Sequence, residues 1–219
     1  MFCDQLISSE NKFVSLNHTV ENTLQLMEDY HIQQFPVVDG VSFLGMISED
    51  DLLDVPSDKL IVEVVNKLIG FSVKTTDFFQ VAVKLVYLYN LDIVPVVNQK
   101  NELEGVILKE NLFISLAQMS GAGENGAIIV LEMEQADFNP PLFNRLVESN
   151  DAYITHLNSW PDLGTNILQV VIQINKQEIS DIIATFQRYS FTVRYFEGEE
   201  LYKNELQSNL NHLMHYINM

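Results

Sequence analysis

A single cysteine, Cys3, is all the thiol this chain holds, so no intrachain disulfide can form and a reducing compartment is expected. Basic residues are scarce as well: 12 Lys and Arg stand against 30 Asp and Glu, for a formal net charge of −18. Proteins that hold a phosphate backbone use Lys and Arg to displace counterions, so neither nucleic acid nor an anionic membrane is an expected partner. Acidity of this kind also serves simply to keep a protein soluble. No apolar run reaches the roughly 18–20 residues that cross a bilayer. Residues 1–12 lack the basic flank and apolar core of a signal peptide. A soluble, cytoplasmic protein is expected.

Catalytic signatures are missing too. The chain has no Gly-x-Ser-x-Gly elbow and no Walker-type phosphate loop. Cys3 falls in a terminus that reads as mobile and lacks the surroundings of a nucleophile. Asp50-Asp51 and Glu199-Glu200 are adjacent pairs, not opposed ones, and read as solvated faces. His212 and His215 have a spacing at which two imidazoles share a metal, but no third ligand accompanies them. His18, His31 and His156 are scattered, and Trp160 reads as packing at a strand end. No catalytic residue, no metal site and no enzymatic activity are expected.

What the chain does have is an internal duplication. Residues 31–52 read as a strand over 35–39, a tight turn at Asp39-Gly40, a strand over 43–47 and a helix after Ser48. The same order recurs over 90–112: Pro36 matches Pro95 at a spacing of 59, and Gly45 matches Gly105 at 60. The preceding helix repeats as well, with 19–27 matching 78–86. Two copies with a period near 60 indicate a duplicated βαββα unit, packed about a pseudo-twofold axis, and not a solenoid. In detail, 12–16 opens as a strand and Thr19 caps a helix to residue 30. Further helices are expected over 49–55, 57–68, 78–89 and 109–119, and strands over 93–97 and 103–107.

Ser120-Gly-Ala-Gly-Glu-Asn-Gly126 reads as a linker, and the rhythm changes after it. Strands are expected over 127–133, 152–160, 167–174 and 191–196, and helices over 141–149 and 176–189. This βαββαβ order is the ferredoxin-like arrangement. In the second strand Tyr153, Thr155 and Leu157 alternate against Ile154, His156 and Asn158. Residues 199–219 form an amphipathic helix with Leu206, Leu210, Leu213 and Ile217 on one seam, which must bury itself on its own domain or on another subunit.

The duplicated unit resembles the CBS domain, the regulatory module that occurs as a tandem pair. Phe35-Pro-Val-Val-Asp39 with Gly45-Met-Ile-Ser-Glu-Asp-Asp-Leu52 carries the likeness, as does Val94-Pro-Val-Val97 with Gly105-Val-Ile-Leu-Lys-Glu-Asn-Leu112. The expected organisation is thus an α/β (α+β) chain. Residues 1–120 form a tandem CBS pair (repeats about 1–59 and 60–120), and 121–126 a linker. Residues 127–198 form a ferredoxin-like domain that resembles the ACT type, before the 199–219 helix. The resemblance implies an adenosyl nucleotide ligand (like AMP, ADP, ATP or S-adenosylmethionine). Ser48 would lie near its phosphate or ribose, Asp51 on the ribose hydroxyls, and Val14, Phe35 and Pro36 beside the base. Ser48 and Asp51 also form a capping box that needs no ligand. The second copy has Leu108 and Asn111 at these positions, which puts a second site in doubt.

Residues 1–124 hold seven Lys, no Arg and eighteen Asp or Glu, which favours a monophosphate, adenosine-like or cationic adenosyl ligand over a polyphosphate. For the ACT-like domain, an amino-acid effector could meet Asp137 through its α-amino group, or Asp137 could instead cap the following helix. The Asp137-Phe-Asn-Pro-Pro-Leu142 turn has no glycine to bring a ligand carboxylate onto backbone amides. The resemblance further implies face-to-face homodimers, using the apolar cluster over 60–68. The expected role is a non-catalytic sensor, and the alternative is a ligand-free dimerisation scaffold that regulates a partner protein.

Overall fold

The computed structural model describes residues 1–8, 12–165 and 167–199. Residues 200–219 of the helix expected over 199–219, with His212 and His215, lie outside the described residues. The chain divides into two compact units, Met1–Leu116 and Ala117–Met219.

In the first unit each repeat builds a three-stranded sheet. β1 (Val14–Ser15), β2 (Gln34–Asp39) and β3 (Ser42–Ser48) form one, in that order, with β1 parallel and β3 antiparallel to β2. β4 (Val73–Lys74), β5 (Ile93–Val97) and β6 (Leu103–Leu108) form the other in the same way. α1 (Val20–Tyr30) and α2 (Glu49–Leu52) belong to the first repeat, α3 (Gln80–Tyr89) and α4 (Lys109–Met119) to the second. Even the irregularities are duplicated. Val37 pairs Gly45 and Val38 pairs Phe43, leaving Leu44 as a bulge; Val96–Gly105 and Val97–Leu103 leave Glu104 in the same place.

The two repeats exchange their leading segments. The 3-10 turn Cys3–Leu6 lies on the second repeat, where the Cys3 amide donates to the Asp77 carbonyl at 2.9 Å and the Ser8 amide to Val106 at 2.8 Å. The segment leading into the second repeat lies on the first: Ile61 donates to His18 at 2.9 Å, and Met46 and Ile69 exchange bonds of 2.8 and 3.1 Å. Boundaries drawn from the period alone thus leave 1–8 and 60–69 in the copy that each does not pack against.

Several expectations are corrected. Cys3 is not in a mobile terminus: it is 0 % exposed, packed with Val73, Phe79 and Leu91. The helix expected over 57–68 is a pair of 3-10 turns, Ile61–Lys67, broken at Val64 (φ −120°, ψ 16°), because Ile61 and Val64 are buried at the three-residue spacing of that tighter helix. The helix expected over 49–55 is one turn long and tightens past Leu52, where Val55 donates to the Leu52 carbonyl ahead of Pro56.

Burial, with the Asp77 and Asp4 carboxylates nearby, pushes the Cys3 thiol up from its usual 9.0 to about 11. At pH 8 the folded chain is therefore expected to react with a thiol reagent about 100-fold more slowly than the urea-unfolded chain, from the difference in thiolate fraction alone. The folded thiol keeps its proton to higher pH than the unfolded one. Its contribution to stability is complete below pH 9 and lost as pH rises towards 11. Equal reaction rates in the two states would show that Cys3 is not enclosed.

The second unit carries β7 (Ala127–Met133), α5 (Pro140–Glu148), β8 (Ile154–Pro161), β9 (Leu168–Ile174), α6 (Ser180–Arg188) and β10 (Thr192–Glu197). Its sheet order is β10-β7-β9-β8, antiparallel throughout, which is the ferredoxin-like topology. Phe143, Leu146 and Val147 of α5 and Ile182, Ile183 and Phe186 of α6 form the core with Ile129, Leu131 and Ile172 of the sheet. The alternation expected along β8 does not hold. A register shift between Ile154 and His156 turns both Ile154 and Leu157 towards the core.

Candidate functional site

The Ser48 turn is built where β3 runs out and α2 begins. Ser48 has extended backbone (φ −102°, ψ 159°), so its side chain reaches forward over the first helical amides. Its Oγ accepts from the Asp51 amide at 3.3 Å, while the Asp51 carboxylate accepts from the Ser48 amide at 3.3 Å and from the Ser48 hydroxyl. Lys67 donates its ammonium to the Asp51 backbone carbonyl, and fully buried Leu52 anchors the turn. Both side chains are half-buried. The capping box is thus complete, and the Asp51 carboxylate is the polar group at its rim.

Of the other residues expected there, Phe35 and Pro36 follow Gln34, the strand partner of Ser48. Phe35 is 1 % exposed and Val14 0 %, and both belong to the interior cluster of the first repeat; Pro36, also buried, lies between Phe35 and Val37 in β2. The structure brings Ser48 and Asp51 together and buries all three apolar residues, Val14 and Phe35 of them in the core of the first repeat. In the second repeat Leu108 and Asn111 occupy the matching places, and the Asn111 carbonyl accepts from the Ser115 hydroxyl at 2.8 Å.

Sequence reasoning passed over the polar joint beside this turn. The Gln33 amide donates to the Asp92 carboxylate at 3.0 Å, and the Asp92 amide donates to the Gln34 side-chain oxygen at 3.3 Å. Gln33 and Asp92 are equivalent positions of the two repeats, 59 apart. Each carbonyl also accepts from the first amide of its own helix, Glu49 to Gln33 at 2.8 Å and Lys109 to Asp92 at 2.9 Å. At the hairpin tips Phe43 donates to Asn101 at 2.9 Å and Leu103 to Val41 at 2.8 Å, so the repeats are tied at two places.

Residues 3–58 match the family model of the CBS domain. Among solved structures, the chain is similar to a CBS domain pair/ACT domain protein from Thermotoga maritima, with 25 % identity and a TM-score of 0.50 over 54 % of this chain and 98 % of that one. The amino-terminal unit is a CBS domain pair. Two further similar structures are the CBS domains of a transcriptional regulator from Streptococcus pneumoniae (20 % identity, 52 % of this chain and 98 % of that one, TM-score 0.47) and CBSX2 in complex with AMP (21 %, 54 % and 97 %, TM-score 0.44). No curated protein matches the chain significantly by sequence.

The ferredoxin-like unit has a groove of about 560 Å³, whose walls include Asp137, Phe138, Asn139, Tyr189 and Phe191. Asp137 closes the short turn Gln135–Asp137 there. It does not cap α5: Asn139 does, its side-chain oxygen accepting from the Leu142 amide at 3.2 Å. Pro140, with no amide hydrogen and a fixed φ, suits the first helical position and puts the cap at the residue before it. No described helix is long and apolar enough to cross a membrane, and no described cluster of His, Cys, Asp and Glu could hold a metal.

Proposed function

We propose that this chain is a non-catalytic regulatory protein in which the CBS pair binds an adenosyl ligand at Ser48 and Asp51 and signals through the ferredoxin-like unit as an ACT-type module. The observation that carries this reading is the joint between the repeats. Gln34 pairs directly with Ser48 in the sheet and also accepts the Asp92 amide of the other repeat. A ligand that draws the Ser48 hydroxyl or the Asp51 carboxylate out of the cap therefore acts one strand away from the bonds that set the angle between repeats. Changing that angle shifts the population of module conformations, which is the coupling regulation needs. The Thermotoga maritima protein, named for a CBS pair and an ACT domain, supports the second half of the reading.

Glu49 and Asp50 adjoin the turn, so a monophosphate, adenosine-like or cationic adenosyl ligand suits it better than a polyphosphate. An amino acid held by Asp137 is the corresponding ligand for the second unit. The test is a thermal-shift screen with AMP, ADP, ATP, S-adenosylmethionine and the common amino acids, where a sensor shows concentration-dependent stabilisation. Asp51→Ala is expected to abolish an adenosyl response while costing less than about 2 kcal/mol in folding, the worth of a cap. A second reading, a ligand-free dimerisation scaffold, is favoured by the completeness of the Ser48–Asp51 capping box. A flat screen with the wild-type chain would decide for it.

A further inference from the structure

Alternation along the strands gives the ferredoxin-like sheet two faces, and α5 and α6 cover one of them. Strand register sets out the other as cross-strand rows. Tyr195, Val130, Val171 and Asn158 stand side by side in one row, and Glu197, Ile128, Gln173 and His156 in the next. Ile128, Val130 and Val171 are half-buried and lie outside the core cluster, so they form an apolar strip at the centre of this face. At its margins Trp160 is 48 % exposed and Tyr195 53 %. One corner is already taken within the same unit. The Gln173 side-chain amide donates to the Gly121 carbonyl at 2.9 Å, and a Cβ on Gly121 would stand 2.6 Å from His156 Nδ1. What remains is the side of the face formed by β10 and β7.

A strip of Ile and Val flanked by exposed rings needs an apolar cover. The chain supplies one of the right length in the right place. β10 ends where Glu197 pairs with Ile128. Just beyond, the Glu199 amide donates to the Gln177 carbonyl at 2.7 Å and its carbonyl accepts from the Ile179 amide at 3.1 Å. Residues 200–219 therefore start from the Ile128 end of the strip. In sequence they carry Leu206, Leu210, Leu213 and Ile217 at helical spacing. As a helix they would measure about 30 Å. The seven-residue strand β7 is only about 23 Å long, so the helix can run its full length.

We propose that residues 200–219 form an amphipathic helix that lies along β7 and β10 of the same chain, its apolar seam on Ile128, Val130 and Val171. The second unit is then three layers deep, with the sheet between helices on both faces. Attachment at the edge of the strip keeps the segment at a local concentration on the order of millimolar, which the segment of a second copy does not match at ordinary protein concentrations. While it is in place the strip is closed to partner proteins. The inference concerns the second unit alone and holds whether or not Ser48 or Asp137 takes a ligand.

Cross-linking of the full chain tests it. Tyr195→Cys places a thiol at the margin of the strip and Asn209→Cys one beside the seam, while buried Cys3 stays unreactive to a short bis-maleimide. This double variant is expected to close an intramolecular link, read as a monomer of increased gel mobility. Gln187→Cys, at an exposed position of α6 on the other side of the sheet, is expected to give no link with Asn209→Cys. Linked dimers would mean that the segment crosses to a second copy, and no link that it lies elsewhere; either overturns the proposal. An equal yield from the Gln187→Cys pair would overturn it too. Adding Leu206→Asp and Leu213→Asp to the Tyr195→Cys, Asn209→Cys chain is expected to cut the intramolecular product at least about fivefold, because the seam can no longer be buried. A yield indifferent to these changes would overturn the seam as the docking surface. The cysteine positions lie outside the core, and circular dichroism of the Leu206→Asp, Leu213→Asp chain separates lost docking from misfolding.

Discussion

Phe143→Ala is expected to destabilise the ferredoxin-like unit by about 3–5 kcal/mol, much of what a small domain has to lose. Phe143 is fully buried on α5, and its ring meets three others edge-on: Phe191 at 5.4 Å between centroids, Phe138 at 5.8 Å and Phe186 at 6.4 Å. Removing it leaves a cavity at the point where α5, α6 and the strand after them converge, and forfeits edge contacts of about 0.5–1.5 kcal/mol each. The chain has one tryptophan, Trp160, and it lies in this unit, so urea unfolding followed by its fluorescence reads the loss directly. A midpoint unchanged from wild type would mean that the ring cluster is not the unit's core. Phe138 and Phe191 also wall the groove that holds Asp137, so an amino-acid response arising there is expected to vanish with the cluster.

The features legible in the sequence are those whose cause is local. Thr19 was readable as a cap, and its hydroxyl accepts from the Asn22 amide at 3.1 Å. Asp39-Gly40 was readable as a turn, and Gly40 has a φ of 59°. The βαββαβ order implied the sheet β10-β7-β9-β8, because apolar periodicity and turn residues mark each element without help from distant parts of the chain. The rest depends on partners that no periodicity identifies. Cys3 and Ile61 are each apolar enough to bury, but nothing local says that each goes to the other repeat's sheet. Likewise a lone Gln33 or Asp92 does not announce a bond across the repeats; only their shared position, 59 apart beside the duplicated turns, hinted at it. Thr155 shows the limit of alternation. One bulge reverses which face Leu157 takes, and bulges are set by pairing, not by the strand's own residues. For the site, the Ser48–Asp51 pairing was legible because a capping box is local, while the interior positions of Val14 and Phe35 follow from packing.

Gly45→Ala is expected to cost the CBS pair about 3–5 kcal/mol, because this residue is where the exchanged segment crosses the first repeat. Gly45 lies beside the Leu44 bulge with a φ of +153°, a backbone conformation in which a side chain is strained by about 1–3 kcal/mol. A Cβ there would stand 2.9 Å from the Leu68 Cβ and 3.2 Å from the Ile69 carbonyl oxygen. That oxygen accepts the Met46 amide at 2.8 Å, and the Ile69 amide returns a bond to Met46 at 3.1 Å. Making room for a methyl group means lifting the 68–69 backbone off β3 and weakening both bonds, each worth about 1 kcal/mol. Gly70→Ala is the control: it lies one residue beyond Ile69, an added Cβ there meets no atom within 4 Å, and it is expected to stay within about 0.5 kcal/mol of wild type. Circular dichroism melts of the two variants, side by side, separate the contributions. If Gly45→Ala melts with Gly70→Ala, the crossing segment is not held against the sheet, and the exchange of leading segments is not what closes the repeats. If Gly45→Ala alone falls, the stability of the first repeat rests on a segment that belongs in sequence to the second, so neither repeat folds to full stability by itself. An angle change at the Gln34–Asp92 joint is then borne by the whole pair, which is what the proposed regulation requires.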